Sequence, residues 1–332
     1  MDFDNGFLHQ DGKLTIRNFL PDIGRDQLQE TIIAGLRKEP KIISSMFFYD
    51  DKGSEIYEDI TRLPEYYPPR LEKDLICEAS EYLKDSLKGH DIIELGSGDC
   101  SKISLLLDHL SDADLSTIRY VPVDFSKSAI VKSAEILLER YRGINIFGIV
   151  GDFLSHLETL PDGNERLFIF FGSTIGNLEV DRAKKFFQDL YDTMEPGDRM
   201  LMGMDMVKDK EILENAYNDS QGVTAEFNRN IINVVNNLLD TGLEPRDFDH
   251  MAFFNDEKSR IEMHLMSREE QTIEVSGQET IRIAKGESIH TENSYKFSID
   301  SIQGMVDEVG LEIERVFTDE KQWFSLILMG KR

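Results

Sequence analysis

Cysteine and long apolar runs are scarce in this sequence. Cys77 and Cys100 are its 2 cysteines, so it has no disulfide framework, no Cys-x-x-Cys pair and too few thiolates for a structural zinc site. The longest clear apolar run covers residues 167–171, whereas a helix needs roughly 20 apolar residues to cross a bilayer. The opening segment, MDFDNGFLHQ, lacks the basic and apolar regions of a signal peptide. We therefore expect a cytoplasmic protein that does not associate with membranes.

Basic residues are also few. Lysine and arginine total 37 against 63 aspartates and glutamates, which gives a formal net charge of −26. Such a surface repels phosphate backbones, so nucleic acid is not an expected partner. The 7 histidines show neither His-x-His nor His-x-x-x-His spacing, and we predict that none of them binds a metal.

The length of 332 residues and an apolar content of 40% predict about two folded domains. Between residues 91 and 207, short apolar runs alternate with helical stretches. The five runs are DIIELG, IRYVPVDF, INIFGIVGDF, RLFIFFGS and RMLMGMDMV. This alternation predicts a doubly wound α/β sheet of parallel strands with crossover helices.

The remaining segments predict a second domain that interrupts the first. Residues 208–297 contain a long helical stretch and then four runs typical of antiparallel strands, HMAFF, RIEMHLMS, QTIEV and TIRIA. A helix around SIDSIQGMVDEVG and a closing hairpin then return to the α/β pattern in residues 298–332. Residues 1–71, helical near 26–39 and otherwise rich in turns, are expected to pack with the insertion. The α/β domain would thus comprise residues 72–207 and 298–332.

Glycines and carboxylates follow the predicted strands. The turn Glu94-Leu95-Gly96-Ser97-Gly98 lets the backbone approach a ligand closely, but it lacks the third glycine of a dinucleotide fingerprint. Asp124 ends the next strand, where such sheets place a carboxylate for ribose hydroxyls. The alternatives are an ordinary tight strand-to-helix turn for the glycines and a helix N-cap for each strand-end carboxylate, including Asp124.

A third carboxylate strengthens this pattern. Asp152-Phe153 follows the third strand and offers an acceptor for an adenine amino group beside a ring that can cover the adenine face. Because strand ends converge on one rim of an open α/β sheet, Glu94, Asp124 and Asp152 should lie together. The pattern resembles the S-adenosylmethionine site of class I methyltransferases.

The segment after the fourth strand faces the same rim. It reads Gly172-Ser173-Thr174-Ile175-Gly176-Asn177 and combines glycines that allow close approach with an amide that both donates and accepts hydrogen bonds. We expect the acceptor substrate there, with a helix cap at Asn177 as the alternative.

Over nearly its whole length the sequence resembles the L-histidine Nα-methyltransferases of ergothioneine biosynthesis. The matching motifs are Phe48-Tyr49-Asp50 with Gly53-Ser54, Ile60-Thr61-Arg62-Leu63-Pro64-Glu65-Tyr66-Tyr67-Pro68, the two glycine segments above, Gly222-Val223-Thr224-Ala225 with Phe227-Asn228-Arg229-Asn230, Arg260-Ile261-Glu262-Met263 and Ile289-His290-Thr291-Glu292-Asn293-Ser294-Tyr295-Lys296-Phe297. The resemblance implies a Rossmann-type class I methyltransferase sheet with a second, α+β domain that caps the substrate. It also implies S-adenosylmethionine as methyl donor and L-histidine as substrate. Because methyl transfer from a sulfonium needs positioning rather than a metal, we expect no metal, and we expect a monomer.

The resemblance also assigns roles to individual residues. Those implied to bind the methyl donor are Tyr49, Gly96, Lys102, Asp124, Asp152, Phe153 and Gly172. Those implied to bind histidine are Asn177 and Tyr217 at its α-amino and carboxylate end, Tyr66, Glu292 and Ser294 around the imidazole, and Met263 nearby; Asn177 and Tyr49 are the implied catalytic residues.

Several of these residues have an alternative, purely structural interpretation. Tyr66, Tyr217 and Met263 have the alternative of packing in a core, and Glu292 that of a structural salt bridge. For the whole chain, the alternatives are a related methyltransferase with another amino-acid acceptor, such as tryptophan, and a non-catalytic regulator that binds S-adenosylmethionine. We expect three successive transfers to the α-amino group, giving the betaine hercynine.

Overall fold

The computed structural model describes residues 7–20, 24–154, 156–161, 163–275 and 279–331. The chain forms two compact units, each made of separate stretches of sequence. The first comprises the described residues of Met1–Pro21, Arg70–Met206 and Phe297–Arg332. The second comprises those of Asp22–Pro69 and Val207–Lys296.

The first unit is built on a sheet of nine strands. They are β1 (Phe7–Asp11), β2 (Leu14–Asn18), β4 (Asp91–Leu95), β5 (Arg119–Asp124), β6 (Asn145–Val150), β7 (Arg166–Phe170), β8 (Arg199–Asp205), β14 (Leu311–Thr318) and β15 (Phe324–Lys331), numbered along the whole chain. Their order is β1-β2-β6-β5-β4-β7-β8-β15-β14. Strands β2, β6, β5, β4, β7 and β8 run parallel, and hairpins extend both edges.

Six helices belong to this unit: α3 (Pro68–Leu83, from Arg70 onward), α4 (Ser101–Leu107), α5 (Asp112–Leu115), α6 (Lys127–Arg140), α7 (Val180–Thr193) and α10 (Ile299–Val309). The central strands β4 and β7 are buried at every position because crossover helices cover both faces of a parallel sheet. This burial explains their continuous apolar runs and places the strand ends on a rigid frame.

The second unit combines four helices with antiparallel strands. The helices are α1 (Arg25–Leu36), α2 (Asp51–Ile60), α8 (Lys210–Tyr217) and α9 (Val223–Leu239). Strands β3 (Lys41–Ile42), β13 (Ser288–Tyr295), β10 (Arg260–Ser267) and β9 (Phe248–Asn255) form one sheet in that order, while β11 (Gln271–Val275) and β12 (Glu279–Ile283) form a separate pair. The unit is therefore α+β.

The structure confirms the predicted class, an α/β sheet with a second α+β part, and the five parallel strands and closing hairpin within it. It differs from the expectation for residues 1–71. Strand β2 pairs with β6 in the large sheet, because Leu14 and Ile16 bury apolar side chains there, so the second unit starts at Asp22. The segment read as rich in turns contains helix α2.

None of the helices in the described residues is long and apolar enough to cross a membrane.

Candidate active site

The glycine turn after β4 and the carboxylate that ends β5 are joined by hydrogen bonds. Gly96 and Gly98 have φ of 69° and 50°, a left-handed conformation that glycine adopts without strain. The backbone N–H of Gly98 donates to Asp124 Oδ2 at 2.8 Å, and that of Ser126 donates to Oδ1 at 2.8 Å. The N-cap of α6 is Ser126, so Asp124 is not the helix cap that the sequence left open. Its carboxylate instead fixes the turn.

Asp152 and Phe153 follow β6, the neighbouring strand. The Phe153 ring lies against the glycine turn, since a Cβ added to Gly96 would sit 3.5 Å from its Cε1. The same ring packs on Phe170 with centroids 5.1 Å apart. Asp152 Oδ1 accepts the N–H of Leu154 at 2.9 Å. The ends of β4, β5 and β6 thus lie side by side in the sheet.

Lys102 and Gly172 meet through a residue that the sequence analysis missed. Glu72 on α3, only 1% exposed, lies 2.7 Å through Oε2 from Lys102 Nζ. Its Oε1 accepts the N–H of Gly172 at 2.5 Å. Gly172 has φ of 80°, and a Cβ there would lie 3.3 Å from Lys102 Nζ. Glu72 therefore connects the lysine to the loop after β7. Because Glu72 and Gly172 are 100 residues apart, no local sequence motif marks this contact.

Glu94 lies inside the sheet. It is 2% exposed, and its carboxyl group accepts a hydrogen bond from the hydroxyl of Tyr120 on β5. Burial raises the pKa of Glu94 to about 8, although the bond from Tyr120 and the charge of Lys102 lower it. The first of the three acidic strand ends therefore carries a proton near neutral pH.

Asn177 ends a short 3₁₀ helix, Thr174–Asn177, directly after the glycine loop. Ser173 has φ of 54° and is held there by a hydrogen bond from the backbone N–H of Asp205 to its Oγ at 2.9 Å. The N-cap of α7 is Glu179, so Asn177 does not have the capping role that was its alternative. Asn177 shares a unit with all the predicted donor-binding residues except Tyr49.

Tyr49 lies in the second unit, at the entrance to α2. The next residue, Asp50, is the N-cap of that helix and accepts the N–H of Gly53 at 2.7 Å. A Cβ on Gly53 would lie 1.7 Å from the carbonyl oxygen of Phe48, which explains the Phe-Tyr-Asp-x-x-Gly pattern. The Tyr49 ring is 48% exposed and packs edge-on against Tyr57, with centroids 5.6 Å apart.

Four predicted or neighbouring side chains converge around the end of α8. The ring of Tyr66 meets that of Tyr217 edge-on at 5.9 Å. The Tyr217 hydroxyl donates to Ser294 Oγ at 2.8 Å. Lys296 Nζ lies 2.8 Å from the same oxygen and 3.2 Å from the Tyr217 hydroxyl. Tyr217 thus has a specific polar partner in addition to its packing.

Glu292 and Met263 are register partners on β13 and β10. Met263 is fully buried, which fits both a contact with ligand and the core position that was its alternative. Burial raises the pKa of Glu292 to about 7, against the opposing effect of Lys296. The second unit therefore gathers Tyr49, Tyr66, Tyr217, Met263, Glu292 and Ser294.

Three potential metal ligands, distant in the sequence, also meet in this unit. Ligand atoms of Glu262, His264 and His290 lie within 4.8 Å of one another. Glu262 accepts a hydrogen bond from Arg260 Nε at 2.8 Å, and the two imidazole rings stack with centroids 4.7 Å apart. The histidine spacings could not reveal this cluster, because strand pairing creates it. Ion pairing and stacking explain the arrangement, and the absence of a metal remains a prediction.

Lys296 is the second functional candidate that the sequence analysis missed. It is 4% exposed and follows Glu292 and Ser294 at intervals of two residues. A lysine in phase with two predicted ligands on an extended segment was the available signal.

Comparison with known proteins agrees with this geometry. The profile of a family described as "Histidine-specific methyltransferase, SAM-dependent" matches residues 28–331. A histidine N-alpha-methyltransferase of Mycobacterium tuberculosis is 38% identical over 321 residues, which cover 96% of this chain and all of that protein. A protein of the same name from Mycolicibacterium smegmatis is 38% identical over 95% of this chain and 98% of its own. The ergothioneine biosynthesis protein 1 of Neurospora crassa is 31% identical over 60% of this chain and 23% of its own.

The sheet, with its glycine turn and acidic strand ends, has the arrangement of a Rossmann-like nucleotide-binding domain, and the family profile identifies the chain as an S-adenosylmethionine-dependent methyltransferase. The chain belongs to the histidine-specific family of these enzymes, since the family profile covers most of its length. It is thus an enzyme that methylates histidine with S-adenosylmethionine as the methyl donor.

Proposed function

We propose that this enzyme transfers three methyl groups from S-adenosylmethionine to the α-amino nitrogen of L-histidine and so forms hercynine. The observation that carries the choice of acceptor is the placement of Glu292 and Ser294 two residues apart on β13, with Ser294 bonded to Tyr217. Side chains at this spacing on a strand point to the same face, so a carboxyl and a hydroxyl are available to one ring. The histidine N-alpha-methyltransferases that resemble this chain over their full length support the same acceptor.

The residues of the first unit suit the methyl donor. We assign the ribose hydroxyls to Asp124, the adenine to Asp152 and Phe153, and the rest of the donor to the backbone at Gly96 and Gly172 together with Lys102. The left-handed glycines leave the backbone without a Cβ where close approach is needed, and Gly98 has open space around it. When bound, the donor supplies an electrophilic methyl group on a sulfonium sulfur.

We assign the α-amino group to Asn177 and Tyr49 as catalytic residues, the same end of histidine also to Tyr217, and the imidazole to Tyr66, Glu292 and Ser294, with Met263 beside it. Their task is to position a neutral amine for in-line attack, because the displacement needs orientation more than a dedicated acid or base. The amide oxygen of Asn177 and the hydroxyl oxygen of Tyr49 accept hydrogen bonds from the N–H groups that the neutral amine carries before the first two transfers, and these bonds orient its lone pair. The first two products each lose a proton before the next transfer, and the third becomes a fixed cation.

The acceptor assignment is tested with Glu292→Ala. Loss of the carboxyl should raise KM for histidine by about 10- to 100-fold, the range expected for a hydrogen bond that involves a charged group, and leave donor affinity unchanged. Glu270→Ala, an exposed position in the same unit, is the matched control. Mass spectrometry of products from all the common amino acids decides between histidine and another acceptor. Unchanged histidine kinetics in folded Glu292→Ala would remove Glu292 from the site.

We further propose that the enzyme acts as a cytoplasmic monomer that needs neither metal nor nucleic acid. The strongly acidic composition supports the exclusion of nucleic acid. Sedimentation at working concentration tests the monomer, and a chelator tests the metal. A loss of activity on chelation that zinc restores would redirect attention to Glu262, His264 and His290.

A further inference from the structure

The side chain of Lys296 is buried beside two predicted ligands of the substrate. It is 4% exposed, and its Nζ lies 2.8 Å from Ser294 Oγ and 3.2 Å from the hydroxyl of Tyr217. The ammonium also lies 5.0 Å from the centroid of the Tyr217 ring. All three side chains belong to the second unit.

An ammonium donates hydrogen bonds and accepts none, so both hydroxyls act as acceptors toward it. The Tyr217 hydroxyl in turn donates to Ser294 Oγ at 2.8 Å. Ser294 Oγ therefore uses its two lone pairs, one for Lys296 and one for Tyr217. The hydroxyl proton of Ser294 is the group left to point at a ligand.

We propose that Lys296 is a positioning residue that fixes Ser294 as a hydrogen-bond donor and thereby selects an aromatic ring with one acceptor nitrogen and one N–H. The proposal rests on the proposed function, in which Glu292 and Ser294 face the imidazole. Neutral imidazole fits this pair, because its N–H can donate to the Glu292 carboxyl while its other nitrogen accepts from Ser294. An indole, which has an N–H and no acceptor nitrogen, leaves the buried Ser294 hydroxyl unpaired.

A histidine analogue distinguishes recognition of the acceptor nitrogen from recognition of ring size alone. In 3-(pyrrol-2-yl)-L-alanine the ring has the size of imidazole and keeps an N–H but lacks the acceptor nitrogen. We expect the wild-type enzyme to favour histidine over this analogue in kcat/KM by on the order of 100-fold. Selectivity below about fivefold would overturn the proposal without any variant. Failure of the wild type to methylate histidine would instead reject the proposed function.

Variants then assign the selectivity to Lys296. Lys296→Met keeps the apolar stem and removes the ammonium, so the Ser294 hydroxyl can turn to donate to the Tyr217 oxygen and is no longer left unpaired beside a ring without an acceptor nitrogen. The selectivity should fall at least tenfold, whereas a purely structural role would lower both substrates equally. Lys296→Arg, which again only donates, should restore most of the selectivity. If Lys296→Met does not fold, Lys296→Arg is compared with Ser294→Ala. The proposal is supported if Lys296→Arg keeps the selectivity and Ser294→Ala loses it. It is overturned if Ser294→Ala keeps the selectivity.

Discussion

Nζ of Lys102 lies 2.7 Å from Oε2 of Glu72, a carboxyl group that is almost fully buried. The pair joins α3 to α4, and the second oxygen of Glu72 holds the backbone N–H of Gly172. A single buried residue thus fixes the positions of Lys102 and Gly172, both of which we assign to binding of the methyl donor. Gly203 on β8 is a glycine for the same reason, since a Cβ there would lie 2.2 Å from Glu72 Oε1.

Glu72→Gln should weaken both stability and donor binding. The change removes the charge that pairs with Lys102, and breaking a buried ion pair costs about 3 kcal/mol or somewhat less here, because Lys102 is partly exposed. Donor affinity, measured by calorimetry, should fall about tenfold as Lys102 loses its charged anchor, although the amide oxygen of the variant can still accept the N–H of Gly172. Lys184→Gln breaks an exposed pair with Glu308 and should change neither quantity by more than about 1 kcal/mol. Wild-type donor affinity in folded Glu72→Gln would contradict the link to the donor.

Asp124→Ala should reduce donor affinity by about 1.5 to 3 kcal/mol, the range for hydrogen bonds to charged groups. The loss has two sources, because the carboxylate is assigned to the ribose hydroxyls and also accepts the N–H groups of Gly98 and Ser126. Asp124→Asn keeps one acceptor oxygen for the turn and should show a smaller loss. Calorimetric titration with S-adenosylmethionine measures both variants, with the exposed Asp74→Ala as control. Unchanged binding in Asp124→Ala would exclude it from the site.

Glu94 makes the stability of the first unit depend on pH. Its pKa is raised to about 8, so the folded state holds the proton more tightly than the unfolded state does. Stability should therefore fall as pH rises from about 4.5 to about 8, by up to about 1.4 kcal/mol per pH unit. Glu94→Gln removes this dependence and should raise the midpoint of urea unfolding relative to wild type more at pH 8 than at pH 5. Glu135→Gln, at an exposed position, should leave the wild-type dependence intact, and equal pH profiles for wild type and Glu94→Gln would refute the prediction.

Periodicity was sufficient to predict the sheet of the first unit. The strands from Asp91 to Asp205 are continuous apolar runs because two layers of helices bury them, and their ends carry the glycines and carboxylates in order. Strands at the edge of the sheet were harder to predict from the sequence. Strand β2 alternates buried and partly exposed residues, and only its pairing with β6 shows to which unit it belongs.

Contacts between distant residues limited the prediction of the site. Glu72 is one of many charged residues on an amphipathic helix, and nothing near it in sequence marks Gly172 as its partner. The cluster of Glu262, His264 and His290 depends on a register shift between β10 and β13 that no spacing rule contains. By contrast, the alternation of Glu292, Ser294 and Lys296 was visible in the sequence.

The rate of the first methyl transfer should rise with pH between about 7 and 9. The nucleophile is the neutral α-amine, and an α-amino group with a pKa near about 8 gains its lone pair over this range. Glu292, with its pKa raised to about 7, also loses its proton at the lower end, and its stronger hydrogen bond to the imidazole N–H would position the bound amine better and so add to the rise. Single-turnover measurements with saturating donor and histidine isolate the chemical step from product release.

Glu292→Gln separates the two contributions, because it cannot titrate and should leave a simple dependence on the amine. Lys185→Gln, in an exposed pair with Asp189, is a control for general charge effects and should follow the wild-type curve. A flat single-turnover rate for the wild type across pH 7 to 9 would mean that the bound amine is already fully deprotonated or that a step other than attack is slow. If the bound amine is already deprotonated at pH 7, the residues around the α-amino group, Asn177 and Tyr49 first, would have to lower the amine pKa rather than only orient it.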